Sequence, residues 1–291
     1  MCPLKGMCMR YDAIIIGSGP AGLSAAINLK TYKKNFVWFG NPKLSEKVEK
    51  AELVNNYPGM YQIKGTELLE KFLEHVKAME LTIEDKIVSN IYPMGDYYGV
   101  MAENDIYETN AIILATGVVP ANQYQGEAEF LGRGVSYCAT CDGMLYQGKT
   151  IAVVSTAKRF EHEVQYLANL AKEVFYFPLY KDHEVAGDNI TVKQTGIKEV
   201  VGDGKVEKLI LKEEELVVDG VFILRNAIAP TTLLSGLEID GGHIKVGRNM
   251  ETNYKGVFAA GDCTGKPYQY TKAVGEGNVA AHSVIEYLGE K

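Results

Sequence analysis

The sequence predicts an α/β protein, and three observations point to this fold class. An apolar strand pattern, Tyr11–Ile16, runs into a glycine-rich turn and a helix of small residues that continues to Lys30. The apolar run Phe36–Phe39 then closes a strand–helix–strand unit about 30 residues long. A second strand and helix, Thr150–Val154 and Lys158–Leu170, repeat this order, and 291 residues suffice for two domains. We therefore expect two Rossmann-like halves.

Composition and charge exclude several classes of protein. The chain is 46% hydrophobic and 23% charged, as globular domains are, and its net charge of -7 argues against nucleic acid or an anionic membrane as a partner. No run approaches the roughly 18 apolar residues of a membrane span. The opening residues carry no cleavable signal pattern, so we expect a cytoplasmic protein.

The first turn carries a phosphate-binding pattern, Gly17-Ser18-Gly19-Pro20-Ala21-Gly22. The first glycine permits the tight turn, the second lets the backbone approach a pyrophosphate, and the third allows close packing of helix on strand. Its position between strand and helix favours a dinucleotide site over a merely structural turn. The second strand ends at Phe39-Gly40-Asn41, so the acidic residue that usually binds ribose hydroxyls is missing and Asn41 offers a weaker contact.

The corresponding turn of the second half has lost this pattern. Its residues are Ser155-Thr156-Ala157-Lys158-Arg159-Phe160, with no glycine where the fingerprint needs one. Ala157 would place a Cβ where a pyrophosphate must approach, and Phe160 places a ring where helix and strand should touch. This half keeps the frame of a dinucleotide fold without its turn chemistry.

Two of the five cysteines form Cys138-Ala139-Thr140-Cys141, a spacing suited to thiol–disulphide exchange. The alternative is a buried structural pair. A zinc site is disfavoured because no second pair has this spacing and the five histidines are scattered singly, so we expect no metal.

Four segments then carry a resemblance: Gly17–Gly22, Ala115-Thr116-Gly117, Cys138–Gly143 and Gly256–Asp262. In this order they resemble the low-molecular-weight thioredoxin reductases, over essentially the whole chain. The resemblance implies two Rossmann-like three-layer domains of the FAD/NAD-linked disulphide reductase type, the second inserted into the first. Residues 1–116 and 243–291 would form the FAD domain, and residues 117–242 the inserted domain with the redox pair. It also implies a homodimer.

The resemblance assigns roles to single residues. Cys141 would receive electrons from FAD, and Cys138 would attack the disulphide of thioredoxin. Asp142 would accept and return the thiolate proton. The alternative for Asp142 is a purely structural role as a helix cap. The FAD contacts that it implies are Gly17, Gly19, Pro20, Ala21, Gly22, Asn56, Thr116, Gly117, Gly261, Asp262 and Gln269.

The electron donor is where this chain departs from most of the family. Members that use NADPH carry a second glycine motif and a His-Arg-Arg cluster. This chain has the turn Ser155–Phe160 in place of the motif. In place of the cluster it has the segment Phe177–Asp182, which keeps only Lys181. One lysine does not reproduce the paired phosphate contacts of arginine. In this the chain resembles the ferredoxin-dependent flavin thioredoxin reductases, which implies ferredoxin as donor.

Three alternatives remain open at this point. The chain is an NADPH-dependent thioredoxin reductase with an atypical nucleotide site, or it reduces a different disulphide protein, glutaredoxin-like or linked to a peroxiredoxin. In another class, it is a flavin-binding redox sensor that does not turn over.

Overall fold

The structure is a computed structural model that describes residues 10–118, 124–127, 129–137, 139–225 and 230–290, without the side chain of Cys141. The chain divides into two compact units, Met1–Val119 with Ala229–Lys291, and Pro120–Ile228.

The secondary structure alternates between strands and helices along the chain. Its first part contains β1 (Tyr11–Ile16), α1 (Pro20–Thr31), β2 (Phe36–Phe39), α2 (Glu46–Glu49), α3 (Gly65–Ala78), β3 (Val88–Pro93), β4 (Tyr98–Ala102) and β5 (Asp105–Leu114). Its middle contains β6 (Val135–Ser136), α4 (Ala139–Asp142), β7 (Thr150–Ser155), α5 (Glu161–Leu170), β8 (Glu173–Pro178), β9 (Ile190–Val192), β10 (Ile197–Gly202), β11 (Val206–Leu211), β12 (Glu215–Val217) and β13 (Gly220–Leu224). Its last part contains α6 (Pro230–Leu233), β14 (Ile239–Asp240), β15 (His243–Ile244), β16 (Val257–Ala259) and α7 (Tyr270–Gly289).

The first unit is built on a sheet whose central strand is β5. The order β2–β1–β5 is parallel, and on the far side of β5 its first half pairs antiparallel with β4 while its second half pairs parallel with β16. The strand cores are isoleucine-rich and fully buried, as strands covered on both faces must be. The carboxyl ends of β1, β5 and β16 therefore meet at one edge of this sheet.

Helices α1 and α7 pack closely on each other beside that edge. A Cβ at Gly277 of α7 would overlap the carbonyl oxygen of Ala21 in α1, and Ala280 and Ala281 are fully buried. Small residues let the two backbones approach each other. In the sequence, such a helix is recognised because it carries few polar residues on any face. No helix in the described ranges is long and apolar enough to cross a bilayer.

The second unit repeats the plan with a parallel sheet in the order β6–β13–β7–β8–β9. Helix α5 connects β7 to β8, and a separate antiparallel sheet, β10–β11–β12, follows β9 in the chain. Two parallel sheets with crossover helices confirm the predicted α/β class.

The return from the second unit to the first lies before Pro230. Gly241 and Gly242, both with positive φ, form the two-residue turn between β14 and β15, in which Asp240 pairs with His243. The sequence-based boundary at 242 and 243 thus falls inside a hairpin of the first unit, because these glycines serve a tight turn. The division at 117–242 stays a prediction in its other respects.

Candidate functional site

The turn between β1 and α1 lies at the edge of the sheet where the carboxyl ends of the parallel strands meet, and we call it the first edge. Its three glycines have different roles. Gly17 has φ +114°, and a Cβ there would overlap the carbonyl oxygen of Ala115. A Cβ at Gly22 would overlap the carbonyl oxygen of Gly17, which already accepts a 2.9 Å hydrogen bond from the indole of Trp38. These two glycines are required by packing within the chain.

Gly19 has a different role. Its φ of -74° suits any residue, and a Cβ built on it meets no atom of the described chain within 4 Å. It faces an open pocket at the first edge. A bare backbone that needs no glycine for packing, set against open space, is what a pyrophosphate requires.

The pocket gathers most of the predicted cofactor contacts. It is lined by Gly17, Ser18, Gly19, Pro20, Ala21, Leu44, Ser45, Glu46, Lys47, Ala115, Thr116, Gly117, Val118, Ala260, Gly261, Asp262, Tyr268, Gln269, Tyr270 and Ala273. Gly22 lies behind it as a packing residue, and Asn56 lies on an exposed bend outside the lining. The segments after β1, β5 and β16 therefore converge, and Asn56 is the predicted contact that does not join them.

The helix at this edge favours an anion. The first turn of α1 contains no acidic residue, and Gly19 at its N-cap offers no side chain to its backbone N–H groups. These N–H groups and the helix dipole together present positive potential to the pocket. An entering phosphate group would be held by backbone donors alone.

The opposite wall of the pocket is stabilised by a Lys272–Glu276 clamp on α7. The ammonium group of Lys272 donates to the carbonyl oxygens of Gly261 and Gly265, each at 2.9 Å, and to a carboxylate oxygen of Glu276 at 3.0 Å. The same carboxylate accepts from the backbone N–H of Gly261 at 2.8 Å and from the Thr264 hydroxyl at 2.8 Å. Sequence reasoning missed this clamp, although Lys and Glu four residues apart on a helix were a usable signal.

The clamp fixes the loop that carries Asp262 into the pocket. Burial raises the pKa of Asp262, while Lys47 and Lys272 oppose that shift and Glu276 adds to it. Charges of both signs therefore act on this carboxylate. Its oxygens can accept hydrogen bonds from a ligand's hydroxyl groups.

Asn41, which was predicted to contact ribose, and two tyrosines of the pocket lining have their polar atoms in use. The side-chain oxygen of Asn41 accepts from the backbone N–H of Lys43 at 2.9 Å, so its predicted ribose contact competes with this turn. Tyr268, at the pocket rim, is 46% exposed and its hydroxyl bonds the ring of His243 at 2.6 Å. The hydroxyl of Tyr270 donates to the carbonyl oxygen of Lys47 at 3.1 Å.

The second edge, between β7 and α5, is filled by the chain itself. Ser155 is fully buried and donates to the carbonyl oxygen of Ala157 at 3.0 Å. The Phe160 ring is also buried, in the position where the first edge has Gly22. The predicted loss of turn chemistry is therefore matched by packing that replaces it.

A carboxylate occupies the start of α5. Glu161, in the first helical turn, accepts from the hydroxyl of Tyr180 at 2.7 Å and from the backbone N–H of Glu184 at 3.0 Å. The Tyr180 hydroxyl also meets that of Tyr176 at 2.8 Å, and burial, followed by these two hydrogen bonds, raises the pKa of Tyr180. Lys158 pairs with Glu184. We call this set the Glu161 network.

The segment around the predicted redox pair is anchored on both sides. Cys138 lies outside the described residues, as does the side chain of Cys141, whose backbone belongs to α4. Before them, Ser136 donates to a carboxylate oxygen of Asp142 at 2.6 Å, and the hydroxyl of Tyr137 donates to Glu127 at 2.6 Å. Neither anchor was predicted, because no short motif marks them.

Comparisons with known proteins agree with this geometry. Residues 11–277 match the family described as pyridine nucleotide-disulphide oxidoreductase. The chain is similar to the thioredoxin reductase of Bacillus subtilis, with 31% identity over 96% of this chain and 95% of the relative. It is 33% identical to a 34.2 kDa protein in a rubredoxin operon of Clostridium pasteurianum, over 97% of this chain and 98% of the relative. Among solved structures, a ferredoxin-flavin thioredoxin reductase from Clostridium acetobutylicum matches with a TM-score of 0.89 and 52% identity, over 97% of this chain and 99% of the other.

Proposed function

The chain belongs to the pyridine nucleotide-disulphide oxidoreductase family as a thioredoxin reductase-like flavoprotein, and from this premise we propose that it reduces thioredoxin with electrons from ferredoxin. One observation carries the choice of donor: the first edge is open and suited to a dinucleotide, whereas the second is filled by the chain's own residues.

FAD is the cofactor we propose for the first edge. Gly17 and Gly19 leave the backbone bare beside the N-terminus of α1, where the diphosphate would accept backbone hydrogen bonds. Asp262, fixed by the Lys272–Glu276 clamp, would accept from the hydroxyl groups of the ribityl chain, and Gln269 lines the same pocket. When bound, FAD supplies a carrier that collects single electrons and passes pairs of them to a disulphide.

The dithiol of Cys138 and Cys141 is the proposed point of exchange with thioredoxin. A thiolate of Cys138 attacks the thioredoxin disulphide, forms a mixed disulphide and releases one thiolate, which takes up a proton. Cys141 then attacks the mixed disulphide, so the enzyme pair is oxidised and thioredoxin leaves with two thiols. We propose that Asp142, in α4 directly after Cys141, takes up the protons of the two enzyme thiols in turn and returns one to each thioredoxin sulphur.

The Glu161 network supports ferredoxin over a pyridine nucleotide. Glu161 places a carboxylate in the first turn of α5, directly after the turn that lacks the glycine motif, and this carboxylate accepts from the backbone N–H of Glu184. An incoming diphosphate would meet like charge and would have to displace the Tyr180 hydrogen bond. The only nearby lysine in the network, Lys158, is already paired.

A donor assay tests this function. The holoprotein is mixed anaerobically with oxidised thioredoxin and, in separate reactions, with reduced ferredoxin, NADPH or NADH, and thioredoxin thiols are counted over time. We expect multiple turnovers with ferredoxin alone, and none in the variant C141S with any donor. Turnover with NADPH at a comparable rate would show that the donor assignment is wrong. Flavin reduction without thioredoxin thiols would favour the redox sensor.

A further inference from the structure

Ser136 is a buried hydroxyl two residues before Cys138. It is the last residue of β6, is 4% exposed, and donates a 2.6 Å hydrogen bond to Oδ2 of Asp142. A donor–acceptor distance this short is typical of a hydroxyl bonded to an ionised carboxylate. The bond spans the predicted redox pair, because one partner precedes Cys138 and the other follows Cys141.

The next residue is held toward a separate partner. The hydroxyl of Tyr137 donates to Glu127, which is fully buried, and the guanidinium group of Arg225 contacts both oxygens of that carboxylate, at 2.9 and 3.0 Å. Ser136 and Tyr137 thus anchor the backbone through hydrogen bonds to two different carboxylates, those of Asp142 and Glu127. The main chain entering Cys138 is thus fixed before the pair begins.

Other groups around Asp142 are less suited to handle a proton. Tyr146, one turn later, has its pKa raised by burial and further by the charges of Asp142 and Asp219, so it stays protonated at neutral pH. Tyr166 of α5 packs near Gly143. Asp142 is the carboxylate in this segment. Among the described residues, Ser136 is the side chain that donates a hydrogen bond to it.

We propose that Ser136 is the positioning residue of the dithiol step: by occupying Oδ2 of Asp142 it holds the carboxylate so that Oδ1 handles the proton. This rests on the proposed function, in which the two thiol protons of the enzyme dithiol are taken up in turn and one is given to each of the two departing thioredoxin sulphurs. Ser136 itself transfers no proton and touches no substrate.

A single-turnover experiment tests the proposal without depending on the electron donor. The holoprotein is reduced with dithionite, freed of excess reductant, and mixed with increasing oxidised thioredoxin, so that the limiting rate and the half-saturating concentration are separated. We expect S136A to lower the limiting rate about 10- to 100-fold, less than the roughly 100- to 10,000-fold that a positioned acid–base group itself contributes, with half-saturation unchanged. The variant S155A removes another buried hydroxyl of the same unit and should react as the parent does.

Two further arms separate positioning from folding. S136T and S136V have the same shape and differ in the hydroxyl, so the first should recover most of the rate and the second should not. Adding S136A to D142N should cost nothing more, because Ser136 acts through that carboxylate. Equal rates for S136T and S136V, or independent losses in the double variant, would overturn the proposal while leaving the proposed function intact. Failure of the reduced parent protein to reduce thioredoxin would instead refute the proposed function.

Discussion

At the first edge, α1 begins with a bare backbone facing open space, whereas at the second edge α5 begins with the bonded carboxylate of Glu161. Both edges follow a buried parallel strand and lead into a helix that packs on the sheet. The frame is therefore shared, and the chemistry at the helix N-terminus differs. A dinucleotide-type frame therefore persists where the glycine pattern is absent, when the chain supplies its own polar and apolar groups to fill the turn.

The largest expected effect comes from Gly22. In G22A the new Cβ overlaps the carbonyl oxygen of Gly17, so α1 must move off the sheet. We expect a loss of about 3 kcal/mol or more in the free energy of unfolding, measured by urea titration. The control is G275A in α7, where a Cβ meets no atom within 4 Å and should stabilise the helix by about 0.5–1 kcal/mol. Equal effects of the two substitutions would remove the packing argument.

Gly19 separates folding from binding. In G19A the backbone is unstrained and the Cβ enters open space, so the urea midpoint of the flavin-free protein should stay unchanged. The same methyl group would stand where the diphosphate approaches, so the flavin content of the purified protein should fall at least about tenfold, roughly 1.4 kcal/mol in affinity. Measuring flavin per chain by absorbance decides the matter. Full flavin content in G19A would mean that the diphosphate does not lie at this turn.

The Lys272–Glu276 clamp should matter less than the glycines. K272M leaves the carboxylate of Glu276, which is 19% exposed, without its partner, and we expect about 2 kcal/mol of destabilisation and faster flavin release. K245M breaks an exposed pair with Glu238 and should cost under about 1 kcal/mol. Thermal melting and flavin fluorescence report the two effects. The clamp would be irrelevant to the pocket if both variants released flavin alike.

Alkaline pH gives the smallest expected effect. Burial, aided by Tyr287 and Tyr254, raises the pKa of Tyr98 to about 12 from 10.0, so the folded state keeps this proton after the unfolded chain has lost it. The resulting stability is complete below pH 10 and is lost as pH rises from about 10 through about 12, and the part lost between pH 9 and 11 is about 1 kcal/mol. In Y98F this part of the alkaline loss should disappear from urea titrations made at pH 9 and 11. Y61F, at an exposed tyrosine, is the control, and an unchanged slope in Y98F would contradict the assignment.

The first edge was predictable because its glycines encode backbone geometry directly. Gly17 and Gly22 each meet a local steric demand, Gly19 leaves the backbone bare, and the spacing of the three suffices to place the strand, the turn and the helix. The absence of glycine from the turn Ser155–Phe160 could be recognised from the sequence in the same way. Sequence therefore predicted the frame of both halves and which half had lost its ligand chemistry.

The long-range parts of the site were not predictable in this way. The contacts of the Lys272–Glu276 clamp with the loop at Gly261, the Glu161 network and the bond between Ser136 and Asp142 depend on tertiary packing, and no short motif marks them, although the Lys–Glu spacing on α7 was itself readable. Asn56 differs from the other expected contacts because it lies outside the lining of this pocket, and its role stays a prediction. A homodimer and a cytoplasmic location stay predictions, because neither follows from a site.

The central claim is that the second edge does not bind a pyridine nucleotide. Isothermal titration of the oxidised holoprotein with NADPH, repeated with NADH, tests it directly, with the flavin absorption band followed in parallel. The account predicts no saturable heat and no bleaching at millimolar nucleotide. Saturable binding in the micromolar range together with rapid bleaching would contradict it, because the nucleotide would then bind despite the Glu161 network.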